Sequence, residues 1–303
     1  MVGESTYLCD RLPVHYAPSA TTFVEGRRSR QGDQPGQKVL AMGDPDFSLM
    51  GGGERGTYIP VRAAAFEATG GSRAERGLQL ARLPFTAIET AALGQAFAPQ
   101  ADVRQGLLAT EAAVRREGPG RRVLHLATHA LLDPASPLDS AVVLSMPPQP
   151  APDNDGFLKA WEVFGLDLRG CDLVTLSACE TAKGEVLSGE GVIGLTRAFL
   201  YAGAASVLCT QWSMADESTA ALMVRFYEHY RGGDPKDVAL QKAMQEIRTG
   251  RTADGTLLEL PEGFSGWHEE WSQPYYWAPF VLVGEYQQTG ATAPTLTPDA
   301  TPH

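Results

Sequence analysis

Val39 to Met42, Val123 to Ala127, Ala141 to Leu144, Leu173 to Leu176, Val207 to Cys209 and Phe280 to Val283 are short apolar runs, each closed by turn or polar residues. Runs of this length with little apolar–polar alternation suit strands buried on both faces, which requires a parallel sheet covered by helices. Helical patterns lie between them. Pro84 to Phe97 opens with a first-turn proline, Leu107 to Glu117 stops at Gly-Pro-Gly, and Val192 to Tyr201 follows a glycine-rich stretch. Asp216 to Tyr230 is a long amphipathic stretch closed by Gly232-Gly233, and Asp234-Pro235 starts another that runs to about Arg248. Strand alternating with helix predicts a single doubly wound sheet, and the pattern continues without a break over residues 1–286. Gly26 to Gln37 and Ser48 to Gly56 read as surface loops, and residues 287–303, rich in Thr, Pro and Ala, as a disordered tail.

Charge narrows the function. Lys and Arg total 25 against 36 Asp and Glu, a net charge of −11, which argues against nucleic acid as a direct partner. No apolar run approaches the roughly 18 to 20 residues of a spanning helix, and the N-terminus lacks a basic region followed by an apolar one, so no membrane partner is expected and a cytoplasmic location is the default. Cys9, Cys171, Cys179 and Cys209 show neither zinc-site pairs nor the density of a disulfide scaffold, so each is judged as a single thiol.

Ligands of an open parallel sheet bind beyond the carboxyl ends of its strands. The run from Val123 delivers His129 there, and the run from Leu173 delivers Cys179. A Cys and a His brought to the same edge form the minimum unit of thiol nucleophilic catalysis, in which a thiolate attacks a carbonyl carbon. His125, inside its run, reads as a core histidine. Gly189-Glu190-Gly191-Val192-Ile193-Gly194 also matches the dinucleotide pattern G-x-G-x-x-G, but about ten residues separate it from the strand that should feed it, which counts against a nicotinamide or flavin enzyme. The glycines instead suit a loop close to Cys179 and the start of a helix.

Leu124 to His129 (LHLATH), Leu138-Asp139-Ser140-Ala141, Asp155-Gly156-Phe157-Leu158, Leu173 to Thr181 (LVTLSACET), Gly189 to Tyr201 (GEGVIGLTRAFLY), Gln211-Trp212 and Tyr276 to Phe280 (YWAPF) occur in that order, and Ala17-Pro18-Ser19 and Gly43-Asp44-Pro45 precede them. In these pieces the chain resembles the CHAT domain, a caspase-like cysteine protease family in the clan of caspases and separase. The resemblance implies a caspase-like fold, a mostly parallel sheet flanked by helices on both faces. It implies a His-Cys dyad, carried here by His129 and Cys179, with no metal or organic cofactor. The oxyanion would be held by the backbone N–H groups of Cys179 and of the residue after the histidine. Most members have glycine there and this chain has Ala130, which is strained if the position needs φ > 0 and harmless otherwise. By the same resemblance Asp216 occupies the place of an acidic residue that receives a basic side chain before the scissile bond, although it also reads as a helix N-terminus. Asp155 and Glu190 are secondary candidates for shaping the cleft, set against solvated loop charges.

Two functional readings follow from the sequence: a cysteine endopeptidase cleaving a protein partner, and a caspase-like interaction or signalling module that makes little or no use of its thiol. The resemblance also implies gating by a sensor or helical-repeat protein. Gly26 to Arg30 and Arg248 to Arg251 are basic stretches read as solvated loops, with self-cleavage as the competing reading.

Overall fold

The protein is described by a computed structural model over residues 7–30, 35–48, 80–133, 136–180, 190–212 and 214–289; for 178–180 and 190–193 the description is of the backbone. Eight strands form one mixed sheet: β1 (Val39–Pro45), β2 (Ala101–Gly106), β3 (Val123–Leu131), β4 (Ala141–Val143), β5 (Phe157–Lys159), β6 (Leu173–Glu180), β7 (Ser206–Thr210) and β8 (Phe280–Gly284). The main path runs β2-β1-β3-β6-β7-β8, with β4 pairing β3 and β5 pairing β4.

The expected parallel core is present, since β1 pairs parallel with β2 and β3, β3 with β6, and β6 with β7. Two strands, β4 and β8, run the other way. β4 follows β3 through a short connection without a crossover helix, which permits only an antiparallel return. β5 then pairs antiparallel with β4, and β8 with β7.

Helices cover both faces. On one side α3 (Glu111–Glu117), α4 (Ala160–Val163) and α5 (Glu190–Tyr201) meet the sheet through Val114, Val163, Leu195 and Phe199. On the other, α2 (Phe85–Ala96), α6 (Asp216–Arg231) and α7 (Lys236–Thr249) contribute Leu93, Phe226, Tyr227 and Leu240. The alternating direction of side chains along β3 sorts it between these layers. Leu124 and Leu126 face the first core, while buried His125 meets Tyr227 of α6 and Glu89 of α2. His125 is therefore a core histidine, as its place inside the apolar run indicates.

Two expected loops are different. Ser19 caps a further helix, α1 (Ala20–Ser29), by accepting the Thr22 N–H, so the basic stretch at Arg27-Arg28 is helical, with Arg27 ion-paired to Glu285 at 2.6 Å. Arg248 lies in the last turn of α7 and pairs with Asp10. Gly26 to Ser29 and Arg248-Thr249 are thus helix rather than loop and would have to unwind to enter an extended protease cleft, whereas Gly250 and exposed Arg251 lie past the end of α7. Most of the expected loop at 48–56 falls outside the described residues. The expected tail begins anchored rather than free: Gln288 donates to the Tyr230 and Asp234 carbonyls at 2.7 Å, and Thr289 donates twice to Asp172. Residues 290–303 lie outside the description.

Candidate active site

β1 sends the chain outward to β2, whereas β3 sends it the opposite way, towards β6. The crevice beyond the carboxyl ends of β1 and β3 is thus the sheet's switch point, where ligands of α/β sheets bind. β1 ends there in Gly43-Asp44-Pro45 and β3 in His129-Ala130-Leu131.

Along β3 and β6 the register runs without a shift from Val123↔Leu173 to Ala130↔Glu180, and it makes His129 and Cys179 direct partners. Their backbones are then one strand spacing apart, about 4.8 Å. The sequence separates them by fifty positions, and the sheet removes that separation.

His129 is 2% exposed. Its Nε2 lies 2.6 Å from the carbonyl oxygen of Ala81. A carbonyl can only accept, so Nε2 carries the proton, and in the neutral ring Nδ1 holds the lone pair. The Phe47 ring lies against the imidazole at 5.6 Å between centroids. Nδ1 is itself buried.

Ala130 is an extended strand residue, the register partner of Val142 on one side and Glu180 on the other. Among the described residues the non-glycine position with positive φ is Asp44, at 45°. The left-handed strain considered for Ala130 does not arise.

Asp216 is the first residue of α6, and its Oδ2 accepts the N–H of Phe85, the first residue of α2, at 2.9 Å. One carboxylate thus satisfies an orphan donor on a neighbouring helix. Burial pushes its carboxyl up to about 7, opposed by that hydrogen bond and reinforced by Glu89, Asp44 and Glu217. A folded pKa above the unfolded one means that the native state binds the extra proton between about pH 4 and 7, so stability falls as pH rises through that window. Asp216→Asn keeps an acceptor for Phe85 without the buried charge. It is expected to raise stability at pH 8 by about 1 kcal/mol and to change little at pH 4. Urea unfolding at the two pH values checks this, and a variant weaker than the parent at pH 8 contradicts it.

Asp155 is committed elsewhere. Its Oδ1 accepts the Phe157 N–H at 2.9 Å, its Oδ2 lies 3.6 Å from Lys159, and its own N–H donates to Glu111 of α3. Arg115 ties Glu111 to Glu162 in the same cluster, at 2.7 Å to each. These contacts belong to the α3–α4 layer, on the sheet face opposite α2 and α6. Glu190 begins α5, and the preceding residues 181–189 are outside the description. Gly194 of the G-x-G-x-x-G pattern has a packing role: a Cβ there would meet the Pro137 carbonyl oxygen at 2.9 Å.

The other three thiols are all shifted away from the thiolate form. Burial pushes Cys171 up to about 12 and Cys209 up to about 11, and it also raises Cys9. Among the described residues no group of His, Cys, Asp and Glu gathers to hold a metal, and no helix is long and apolar enough to cross a membrane.

Sequence reasoning missed the segment that holds the imidazole. Ala81 contributes a backbone oxygen, which no residue type advertises. The visible signal was Gly43-Asp44-Pro45, whose aspartate reaches the same segment.

The family model of the CHAT domain matches residues 1–285. The chain belongs to the CHAT domain family. Among curated proteins it is similar to tetratricopeptide repeat protein 28 of Mus musculus, 31% identical over 120 residues, which are 39% of this chain and 4% of that protein. The Homo sapiens protein of the same name is 29% identical over 133 residues, 44% of this chain and 5% of its own length. The CHAT chain thus spans only a small part of these relatives. Among solved structures it is similar to the Arg-specific cysteine proteinase gingipain R, with a TM-score of 0.45 and 8% identity over 89% of this chain and 53% of that one. A complex of the pro- and mature domains of the Porphyromonas gingivalis proteinase gives 0.45 and 9%, over 86% and 51%.

Proposed function

We propose that this CHAT domain is a cysteine endopeptidase that cleaves a protein partner, with Cys179 as nucleophile and His129 as acid and base. The observation that carries the reading is the register that makes these two residues neighbours at the switch-point crevice, together with the Ala81 carbonyl that presents the imidazole in one tautomer.

In this mechanism the thiolate attacks the scissile carbonyl carbon, and the carbonyl π electrons move onto oxygen. The oxyanion is stabilised by the backbone N–H groups of Cys179 and Ala130, each worth a factor of about 10² to 10³ when correctly aimed. Protonated His129 gives its Nδ1 proton to the leaving amine as the C–N bond breaks. The resulting thioester is hydrolysed by water, which surrenders a proton to the same nitrogen, and the thiolate leaves. Nε2–H stays on Ala81 throughout. Asp216 receives a basic side chain before the scissile bond through its second oxygen, and it is the charged form, present above about pH 7, that favours arginine. Glu190, at the start of α5, acts on the shape of the cleft. The name of the mammalian relatives supports a helical-repeat protein as the gating partner.

The test uses peptidyl chloromethyl ketones differing only in their last residue, Arg, Lys, Asp or Leu, with the alkylated cysteine identified by mass spectrometry. Cys179 is expected to react ahead of Cys9, Cys171 and Cys209, fastest with the arginine probe, and His129→Gln should slow it. Equal labelling of Cys9 and Cys179 would overturn the enzyme reading in favour of an interaction module, which has no reason to activate one thiol.

A further inference from the structure

The irregular end of β1, Gly43-Asp44-Pro45, is unexplained by the dyad, and its contacts lead back to it. Asp44 is almost buried, at 8% exposure, and adopts φ 45°, a conformation that costs a non-glycine residue unless its surroundings enforce it. Its surroundings do enforce it. Its N–H donates to Thr86 Oγ1 at 2.8 Å, and that hydroxyl donates to the Leu83 carbonyl at 2.6 Å. Its carboxylate is gripped by Arg82, Nε donating to Oδ1 at 2.7 Å and Nη2 to Oδ2. Gly43 lets the chain come this close, because a Cβ there would meet the Thr86 carbonyl oxygen at 2.5 Å.

The span from Leu80 to Thr86 is therefore fastened at successive points. Leu80 is buried with Phe47, Arg82 is forked onto Asp44, Leu83 is tied to Thr86, and Phe85 is bound to Asp216. Between two of these fastenings lies Ala81, whose carbonyl holds His129 Nε2. We infer that Asp44 and Arg82 are positioning residues for His129: the bidentate pair fixes the backbone carbonyl that sets the tautomer and angle of the imidazole. A fork is suited to this because two parallel bonds fix direction as well as distance. The inference rests on the proposed role of His129, and its test reads the imidazole itself.

The experiment is nitrogen NMR of the protein labelled with 15N in its six histidines, with His129 assigned by its loss in His129→Gln. In the parent, His129 should show a protonated, slowly exchanging Nε2 and an unprotonated Nδ1 above its pKa. In Arg82→Gln and in Asp44→Asn, where asparagine tolerates positive φ, that preference should fall to a mixture of tautomers. Labelling of Cys179 by the arginine chloromethyl ketone should slow by roughly 10-fold to 100-fold, the scale of an ångström-level misplacement. Arg82→Lys, which keeps the charge and loses the fork, should lie between. The His125 signals should stay unchanged in all three, reporting an intact core. An imidazole that keeps the parental tautomer and exchange in both Arg82→Gln and Asp44→Asn overturns the inference. A parent whose Cys179 is not labelled in preference overturns the protease reading, and the clamp is then judged by the resonances alone.

Discussion

Alanine at Cys179 is expected to abolish cleavage of a cognate protein, and alanine at His129 to reduce it by at least about 10³-fold. The two losses should not add. Once the sulfur is gone there is no thioester to form and no leaving amine for the imidazole to protonate, so the double variant should be no slower than Cys179→Ala. The substrate is found by comparing new protein termini generated by the parent and by Cys179→Ala in the same extract. Stability separates chemistry from folding. His129→Ala loses a nearly buried ring with a hydrogen bond to Ala81 and contacts to Phe47, so a cost of about 1 to 2 kcal/mol is expected, which leaves a folded protein. A Cys179→Ala protein that still cuts, or a double variant much slower than the single one, would break the dyad.

The largest expected effect on stability lies at the other end of the sheet. Lys236 and Asp172 are both fully buried, and the ammonium donates to the Asp172 carboxylate at 2.9 Å and to its backbone carbonyl at 3.0 Å. Tyr230 donates to the same carboxylate at 2.6 Å, and Thr289 through both its N–H and its hydroxyl. Burial works against the charge of Asp172, but Lys236 and these donors hold its carboxyl below the usual aspartate value. Lys236→Met removes the counter-charge and keeps the volume, leaving a carboxylate buried without it, a change that costs about 3 to 5 kcal/mol. The pH dependence has a definite sign. A depressed carboxyl contributes stability that is present above the unfolded pKa and lost on acidification, so the deficit of the variant should be full at pH 7 and shrink below about pH 4, as the pH falls from the unfolded value through the lower folded one. Asp172→Asn added to Lys236→Met should recover part of the loss. Urea unfolding of the three proteins measures this; a Lys236→Met deficit under about 1 kcal/mol would show the pair to be expendable.

Much of this fold was legible because strands buried on both faces leave a compositional trace. All six apolar runs became strands, and their order along the chain with helices between them was enough for a largely parallel sheet. β2 left no such trace. Ala101–Gly106 is a half-exposed edge strand carrying Asp102 and Arg104, charges of the kind that blunt an edge. α1 was hidden for a related reason, since it buries no residue and so has no apolar stripe to read. Strand direction escaped as well: Phe280–Gly284 reads like its parallel neighbours, but direction is set by the connection that feeds it, not by its own residues. Of the candidate site, His129 and Cys179 stood out because both fall at the carboxyl ends of strands, and the resemblance supplied the roles proposed for them. Asp155 was misjudged because a carboxylate in a turn looks the same whether it meets solvent, substrate or its own Phe157 N–H.

That a peptide oxygen grips Nε2 of the imidazole has an evolutionary consequence. Every amino acid at position 81 brings the same atom, so that site is free to drift, and scanning mutagenesis would score it as neutral. Selection would act instead on whatever bends the ribbon at that point, so inactivating changes should surface at neighbours that never touch the reacting atoms.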